Sequence, residues 1–150
     1  MELILWRHAE AEDGFPDHER KLTGKGEKQA AAMAAWLKPR LPEGCRVLVS
    51  PARRTRQTAQ ALTADFAVIQ EIAPGASAEA VLGAAGWPDA GGVVLVVGHQ
   101  PTLGAVAARL LADSGESLSV KKGSIWWFSR RDREAGNRTA LKLALAPEHL

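Results

Sequence analysis

The sequence predicts a three-layer α/β/α sandwich around a mainly parallel sheet, and three observations carry that prediction. Short apolar runs without alternation, LILW (3–6), VLV (47–49) and VVLVV (93–97), have the composition of strands covered on both faces. Stretches of helical period separate them. Each of the three runs stops at polar chemistry, Arg7-His8, Ser50-Pro51 and Gly98-His99, at the strand ends where open α/β sheets bind their ligands.

Taken in order, the first strand is followed by a helix whose apolar residues Ala30, Met33, Ala34 and Leu37 recur at i, i+3, i+4 and i+7. Thr23 suits its N-cap, Gly24 and Gly26 weaken its opening turn, and Pro39 stops it. After the second strand a helix is expected to begin near Pro51, a residue suited to a first helical position, and to carry Thr55, Thr58, Ala59 and Leu62 inward. The Ala- and Gly-rich stretch 72–92 has room for one short helix with loops at both ends. Beyond the third strand, Leu103, Val106, Ala107, Leu110 and Leu111 mark another amphipathic helix. The last third alternates, SLSVKKGSIWWFSRRD and then TALKLALAP, and is expected to add two antiparallel strands at the sheet edge, joined by a polar turn near 133–137. Trp126 and Trp127 must then face opposite sides, which leaves one of them a candidate for exposure.

A chain of 150 residues is expected to form one domain, 1–150, and its 46% hydrophobic and 24% charged residues exclude disordered and fibrous classes. A net charge of +2 gives no ground for nucleic-acid or membrane binding, which needs a clustered basic patch. The single Cys45 allows no intrachain disulfide and suits a reducing compartment. With neither a basic leader ahead of an apolar core nor an apolar run of about 20 residues, a soluble, cytoplasmic protein is expected.

If the three strands are parallel, two histidines and at least two arginines meet at one edge, where they repel each other unless an anion lies among them. Phosphate fits best, because the guanidinium fork matches its oxygens and stays charged. Within ARRTR (52–56), at about 100° per residue, Arg53 lies opposite the inward stripe and Arg54 and Arg56 sit on its shoulders. Arg54 is nearer the helix start, hence nearer the sheet edge, and is the choice; Arg53 should face water. The helix N-terminus itself adds partial positive charge and N–H donors.

These residues fall into an ordered set of motifs. R-H-A at 7–9, D-x-x-R-x-L-T at 17–23, S-P-x-x-R-x-x-Q-T from Ser50 to Thr58 and G-H-Q-P at 98–101 resemble the histidine phosphatase superfamily, and within it the small phosphohistidine phosphatases of the SixA type. The resemblance implies the phosphoglycerate mutase-like form of the sandwich. It makes His8 the nucleophile that accepts the phosphoryl group, and Arg7, Arg54 and His99 the pocket around its oxygens, with Gln100 as a further phosphate contact. Ala9 stands where many superfamily members have glycine, a mark of the phosphohistidine-type subfamily.

Loose phosphoryl-transfer transition states are stabilised chiefly by positioning and charge, and neither a metal nor another cofactor is called for. An alkoxide leaving group needs a general acid; Glu71 and Glu79 lie in the right region, yet neither has the family's acidic context. A phosphohistidine leaves as imidazole and demands less. The expected function is therefore metal-independent dephosphorylation of phosphohistidine on a protein, for example on a histidine phosphotransfer domain, through a covalent phosphohistidine intermediate. The alternatives are a small-molecule phosphomonoesterase acting on a sugar phosphate or nucleotide, and a non-catalytic phosphate-binding module. Metal chemistry on His8 and His99 ranks lower, since the two lack short-range ligand spacing.

Overall fold

A computed structural model describes residues 1–131 and 138–150. Ten elements follow one another: β1 (Glu2–Arg7), α1 (Gly24–Leu37), β2 (Arg46–Val49), α2 (Arg53–Gln60), β3 (Ala67–Val68), α3 (Ala78–Ala85), β4 (Val93–Gly98), α4 (Thr102–Ala112), β5 (Ile125–Arg131) and β6 (Arg138–Leu145). The strands form one sheet in the order β3-β2-β4-β1-β5-β6. Its first four strands are parallel, while β5 and β6 add antiparallel to β1.

Alternation along the strands divides the core between the two faces of the sheet. Leu3, Leu5, Leu48, Val94, Val96 and Phe128 face α3 and α4, where Val81, Leu103 and Val106 meet them. Ile4, Trp6, Val47, Val49, Leu95 and Val97 face the other way, onto Met33 and Leu37 of α1 and Ala59 of α2. Helices on both faces complete the three layers expected from the sequence. Among the described residues no helix is long and apolar enough to cross a membrane.

Register sets the site. Arg7 pairs with Gly98 across β1 and β4, and Val49 with Val97 across β2 and β4, so the three strands end side by side. The ladder continues one step beyond the strands: the His8 amide donates to the Gly98 carbonyl at 3.1 Å and the Ser50 amide to the Val97 carbonyl at 3.1 Å. His8, Ser50 and His99 therefore leave the sheet at the same level.

The α1 N-cap is Thr23, as expected, with its hydroxyl accepting from the Gly26 amide at 2.9 Å. The α2 helix starts later than expected, at Arg53. Pro51 and Ala52 form a bend instead, because the Thr55 hydroxyl engages both the Ser50 and Ala52 carbonyls at 2.8 Å and Ala52 stays extended. Residues 117–124, expected in a strand, are loop and turn, and the polar turn expected near 133–137 lies outside the described residues. Trp127 is buried in one core and Trp126 packs, half-buried, against the other, so neither is an exposed docking ring.

Candidate active site

His8 stands just past β1 and is 7% exposed. Its Nδ1 lies 2.7 Å from the Ala9 carbonyl oxygen. A carbonyl only accepts, so Nδ1 carries the proton and Nε2 keeps its lone pair. Burial, reinforced by the charges of Arg54, Arg7 and Arg20, lowers the His8 pKa to about 4, although the Ala9 bond pulls the other way. The ring is neutral at physiological pH, as a nucleophile must be.

His99 faces it, with ring centroids 5.3 Å apart and planes inclined by 55°. Burial, and then the charges of His8 and Arg54, lower its pKa to about 3, against the opposite pull of Asp17. Arg54 Nη2 approaches His99 Nδ1 at 3.4 Å, and His99 Nε2 lies 2.6 Å from the Ser50 hydroxyl. A guanidinium only donates, so Nδ1 is the accepting nitrogen and Nε2–H points to Ser50.

Arg54, 4% exposed on the first turn of α2, is anchored from the other side by the loop 12–21. Its Nη1 donates to the Asp17 carbonyl at 2.9 Å and its Nη2 to the Asp17 carboxylate at 3.1 Å. The other carboxylate oxygen of Asp17 takes a hydrogen bond from Arg20 Nη1 at 3.0 Å. Arg20, followed by Arg54, accordingly holds the Asp17 carboxyl below its ordinary pKa. Arg53 points to water, which agrees with the helical phase read from the sequence, and Arg56, placed by that phase on a shoulder beside the inward stripe, is exposed too. Arg7 donates from Nη1 to the Val120 carbonyl at 2.9 Å. The Nε atoms of both Arg7 and Arg54 are buried without a hydrogen-bond partner among the described residues. Buried guanidinium donors of this kind are suited to an oxyanion.

The motif residues around this cluster do structural work. The Thr58 hydroxyl accepts from the Ala9 amide at 3.1 Å and donates to the Arg54 carbonyl at 2.8 Å, which fixes α2 against the end of β1. Gln57 accepts from the Leu22 amide at 2.8 Å, tying α2 to the segment that carries Asp17 and Arg20. The Ala9 methyl is fully buried with Leu22 and Ala30. Gln100, expected as a phosphate contact, spends its carboxamide elsewhere: Oε1 accepts from the Gly104 amide at 2.7 Å and Nε2 donates to the Leu118 carbonyl at 2.8 Å. It braces the opening of α4 against the loop before β5.

Sequence reasoning thus placed His8, Arg7, Arg54 and His99 and left Asp17, Arg20 and Ser50 without roles. Asp17 and Arg20 stood in a quoted motif, D-x-x-R, and their spacing was the signal available. Neither carboxylate weighed as an acid joins the cluster: Glu79 pairs with Arg109 of α4, and Glu71 is exposed in the 3-10 turn Gln70–Ile72. Among the described residues no group of three or more His, Cys, Asp or Glu side chains is arranged to hold a metal.

Residues 3–76 match the family model of the histidine phosphatase superfamily, branch 1. An uncharacterised protein of Mycobacterium tuberculosis is 36% identical over 125 residues, which cover 76% of this chain and 75% of that one. The phosphohistidine phosphatase SixA of Escherichia coli K12 is 34% identical over 119 residues, 73% of this chain and 74% of that protein. Among solved structures, that of a protein histidine phosphatase SixA complexed with tungstate superposes with a TM-score of 0.82 over 99% of both chains, at 26% identity.

Proposed function

The chain belongs to the histidine phosphatase superfamily, and from that membership we propose that it removes the phosphoryl group from phosphohistidine on a protein, with His8 as the nucleophile. The observation that carries the reading is the state of His8: Nδ1 is bonded to the Ala9 carbonyl, Nε2 keeps its lone pair, and two arginines and a second imidazole surround the ring.

The phosphoryl group is received by Arg7 and Arg54, whose charges act on His8 and whose Nε–H donors are buried without a partner among the described residues. His8 Nε2 attacks phosphorus in line, the substrate P–N bond breaks, and the departing imidazole takes a proton from water. Water then attacks the phosphoryl group on Nε2, releasing inorganic phosphate and restoring the lone pair. His99 is neutral before substrate arrives, with Nδ1 as acceptor toward Arg54. A phosphate dianion reverses the local field, raises the His99 pKa and lets a protonated Nδ1 donate to it. No step uses a metal.

The substrate class follows from the leaving group. Asp17, the carboxylate that reaches the cluster, is bonded to two arginines and kept ionised, so it has no proton to give at neutral pH. A P–N bond tolerates this better than an alkyl ester, and the related Escherichia coli protein is named a phosphohistidine phosphatase. The test is phosphate release from a phosphohistidine-bearing protein beside a panel of alkyl phosphates, with His8→Ala as control. Turnover of phosphohistidine alone is expected, falling on the order of 10³-fold or more in the variant. Faster turnover of an alkyl phosphate would overturn the substrate class, and a phosphoenzyme surviving in His8→Ala would overturn the nucleophile.

A further inference from the structure

Ser50 opens the S-P-x-x-R motif, is fully buried just past β2, and has no part in the chemistry described so far. Hydrogen bonds hold it from several sides. Its amide donates to the Val97 carbonyl at 3.1 Å, its carbonyl accepts from the Thr55 hydroxyl at 2.8 Å, and its own hydroxyl oxygen accepts from the Ala52 amide at 3.4 Å. A side chain fixed in this way can hold a neighbour in a set geometry. That neighbour is His99, whose Nε2 lies 2.6 Å from the Ser50 Oγ.

His99 is clamped at both ring nitrogens, by Ser50 at Nε2 and by Arg54 at Nδ1. Half a turn about the Cβ–Cγ bond would put ring carbons against both partners and leave buried polar atoms unmet, so one orientation is kept. The position of the proton follows. Arg54 presents only donors to Nδ1, so the neutral ring carries its proton on Nε2 and the Ser50 Oγ accepts it. A carboxylate in place of Ser50 would attract the imidazolium and charge the ring before substrate arrives. An apolar residue would leave the Nε2–H buried without its acceptor. A neutral hydroxyl accepts from the ring in either charge state and adds no charge of its own.

We propose that Ser50 is a positioning residue for phosphoryl transfer: it holds His99 in the Nε2–H tautomer with Nδ1 turned toward Arg54 and the anion that Arg54 binds. The proton that His99 takes from solvent when substrate enters can then go only to Nδ1, and it returns to solvent when phosphate departs. In the charged ring Nδ1–H donates to a phosphoryl oxygen while Nε2–H still donates to Ser50, a charge-assisted bond that stabilises the imidazolium as charge develops on the transferring group. The inference rests on the reading above in which His8 is the nucleophile and His99 its neighbour in the pocket, and it is independent of the leaving group.

The wild-type protein tests the tautomer directly. Long-range proton–nitrogen NMR spectra at pH 7 should show a neutral His99 with its proton on Nε2, and saturating orthophosphate should protonate Nδ1 while the Nε2–H persists. An Nδ1–H tautomer in the free protein would overturn the proposal. Kinetics test the consequence. Ser50→Ala should lower kcat about tenfold, the size of one hydrogen bond to a charged group, with KM little changed. The same loss should move the basic limb of the kcat profile down by about one pH unit. In a His99→Ala background the substitution should change kcat by less than about twofold, because Ser50 acts through that ring. Ser50→Thr, which keeps the hydroxyl, should restore the basic limb. An equal loss in both backgrounds, or a loss with the limb unmoved, would mean that Ser50 only supports the fold, and no loss would mean that the ring needs no acceptor there; each overturns the positioning role. If the wild-type protein forms no phosphoenzyme on His8, the catalytic reading falls by itself, and the NMR spectra still decide whether Ser50 sets the tautomer.

Discussion

Arg54→Ala is expected to lower kcat/KM on the order of 10²–10³-fold, the usual cost of removing one preorganised donor to developing charge. Arg53→Ala should change it by no more than about twofold, since that side chain faces water. Asp17→Asn keeps an acceptor for one arginine but not a charge for two, and should cost about tenfold, the size of one charge-assisted hydrogen bond. Steady-state kinetics on the three variants, with inhibition by inorganic phosphate, ranks them; Arg53 above Arg54 would refute the assignment. The choice between neighbouring arginines was legible in the sequence, even though the helix starts later than Pro51 suggests, because relative azimuth depends on spacing along the helix and not on its first residue. The role of Asp17 was not legible. It depends on a non-helical loop folding across to α2, and no periodicity in the chain encodes that approach.

At the scale of elements, Gly26 shows a local preference overruled by a tertiary contact. Glycine weakens the opening of a helix, and propensity alone says that Gly26→Ala should stabilise α1 by up to about 1 kcal/mol. A Cβ at Gly26, however, would fall on the Glu10 carbonyl oxygen, which also accepts from the Thr23 amide at 3.0 Å. Overpacking against backbone costs about 1–3 kcal/mol, so Gly26→Ala should destabilise the protein on balance. Gly24→Ala meets nothing within 4 Å and should be neutral or stabilising. Thermal melts of the pair decide it, and parallel shifts in Tm would show that the contact at Gly26 is unimportant. The elements whose apolar residues face a core in a regular repeat, β1, β2, β4, α1 and α4, were legible from pattern, as were α2 with its inward Thr55, Thr58 and Ala59, the short helix within 72–92 and the antiparallel edge strands β5 and β6. Residues 117–120 misled because their backbone is satisfied by side chains and a helix terminus: Arg7 and Gln100 donate to Val120 and Leu118, and the Leu118 amide bonds Gly104. Strand β3, only Ala67–Val68, is too short to carry a pattern.

For the whole molecule, bringing three parallel strand ends to one level buries two imidazoles among cations, and stability must carry the consequence. The folded-state pKa values of His8 and His99, about 4 and about 3, lie below the ordinary 6.5 because burial disfavours the imidazolium. Between pH 6.5 and about 4 the unfolded chain takes up protons at both positions and the folded chain does not. Stability is then fully present above pH 6.5 and is lost as pH falls, by roughly 1.4 kcal/mol per unit for each histidine. Asp17 shifts in the same direction by a different route: its folded pKa is lowered from 3.8, so its contribution is lost only below that value, outside the window of the histidines. Urea unfolding at pH 7, 6 and 5 should therefore show a decline of roughly 3–4 kcal/mol across the series. His8→Ala should remove about half of that slope. Inorganic phosphate should flatten it, because an anion among the arginines lets the folded protein accept the same protons. Stability that stays level from pH 7 to pH 5 without phosphate would mean that the imidazoles are charged in the folded state, and the neutral nucleophile on which the catalytic proposal depends would have to be abandoned.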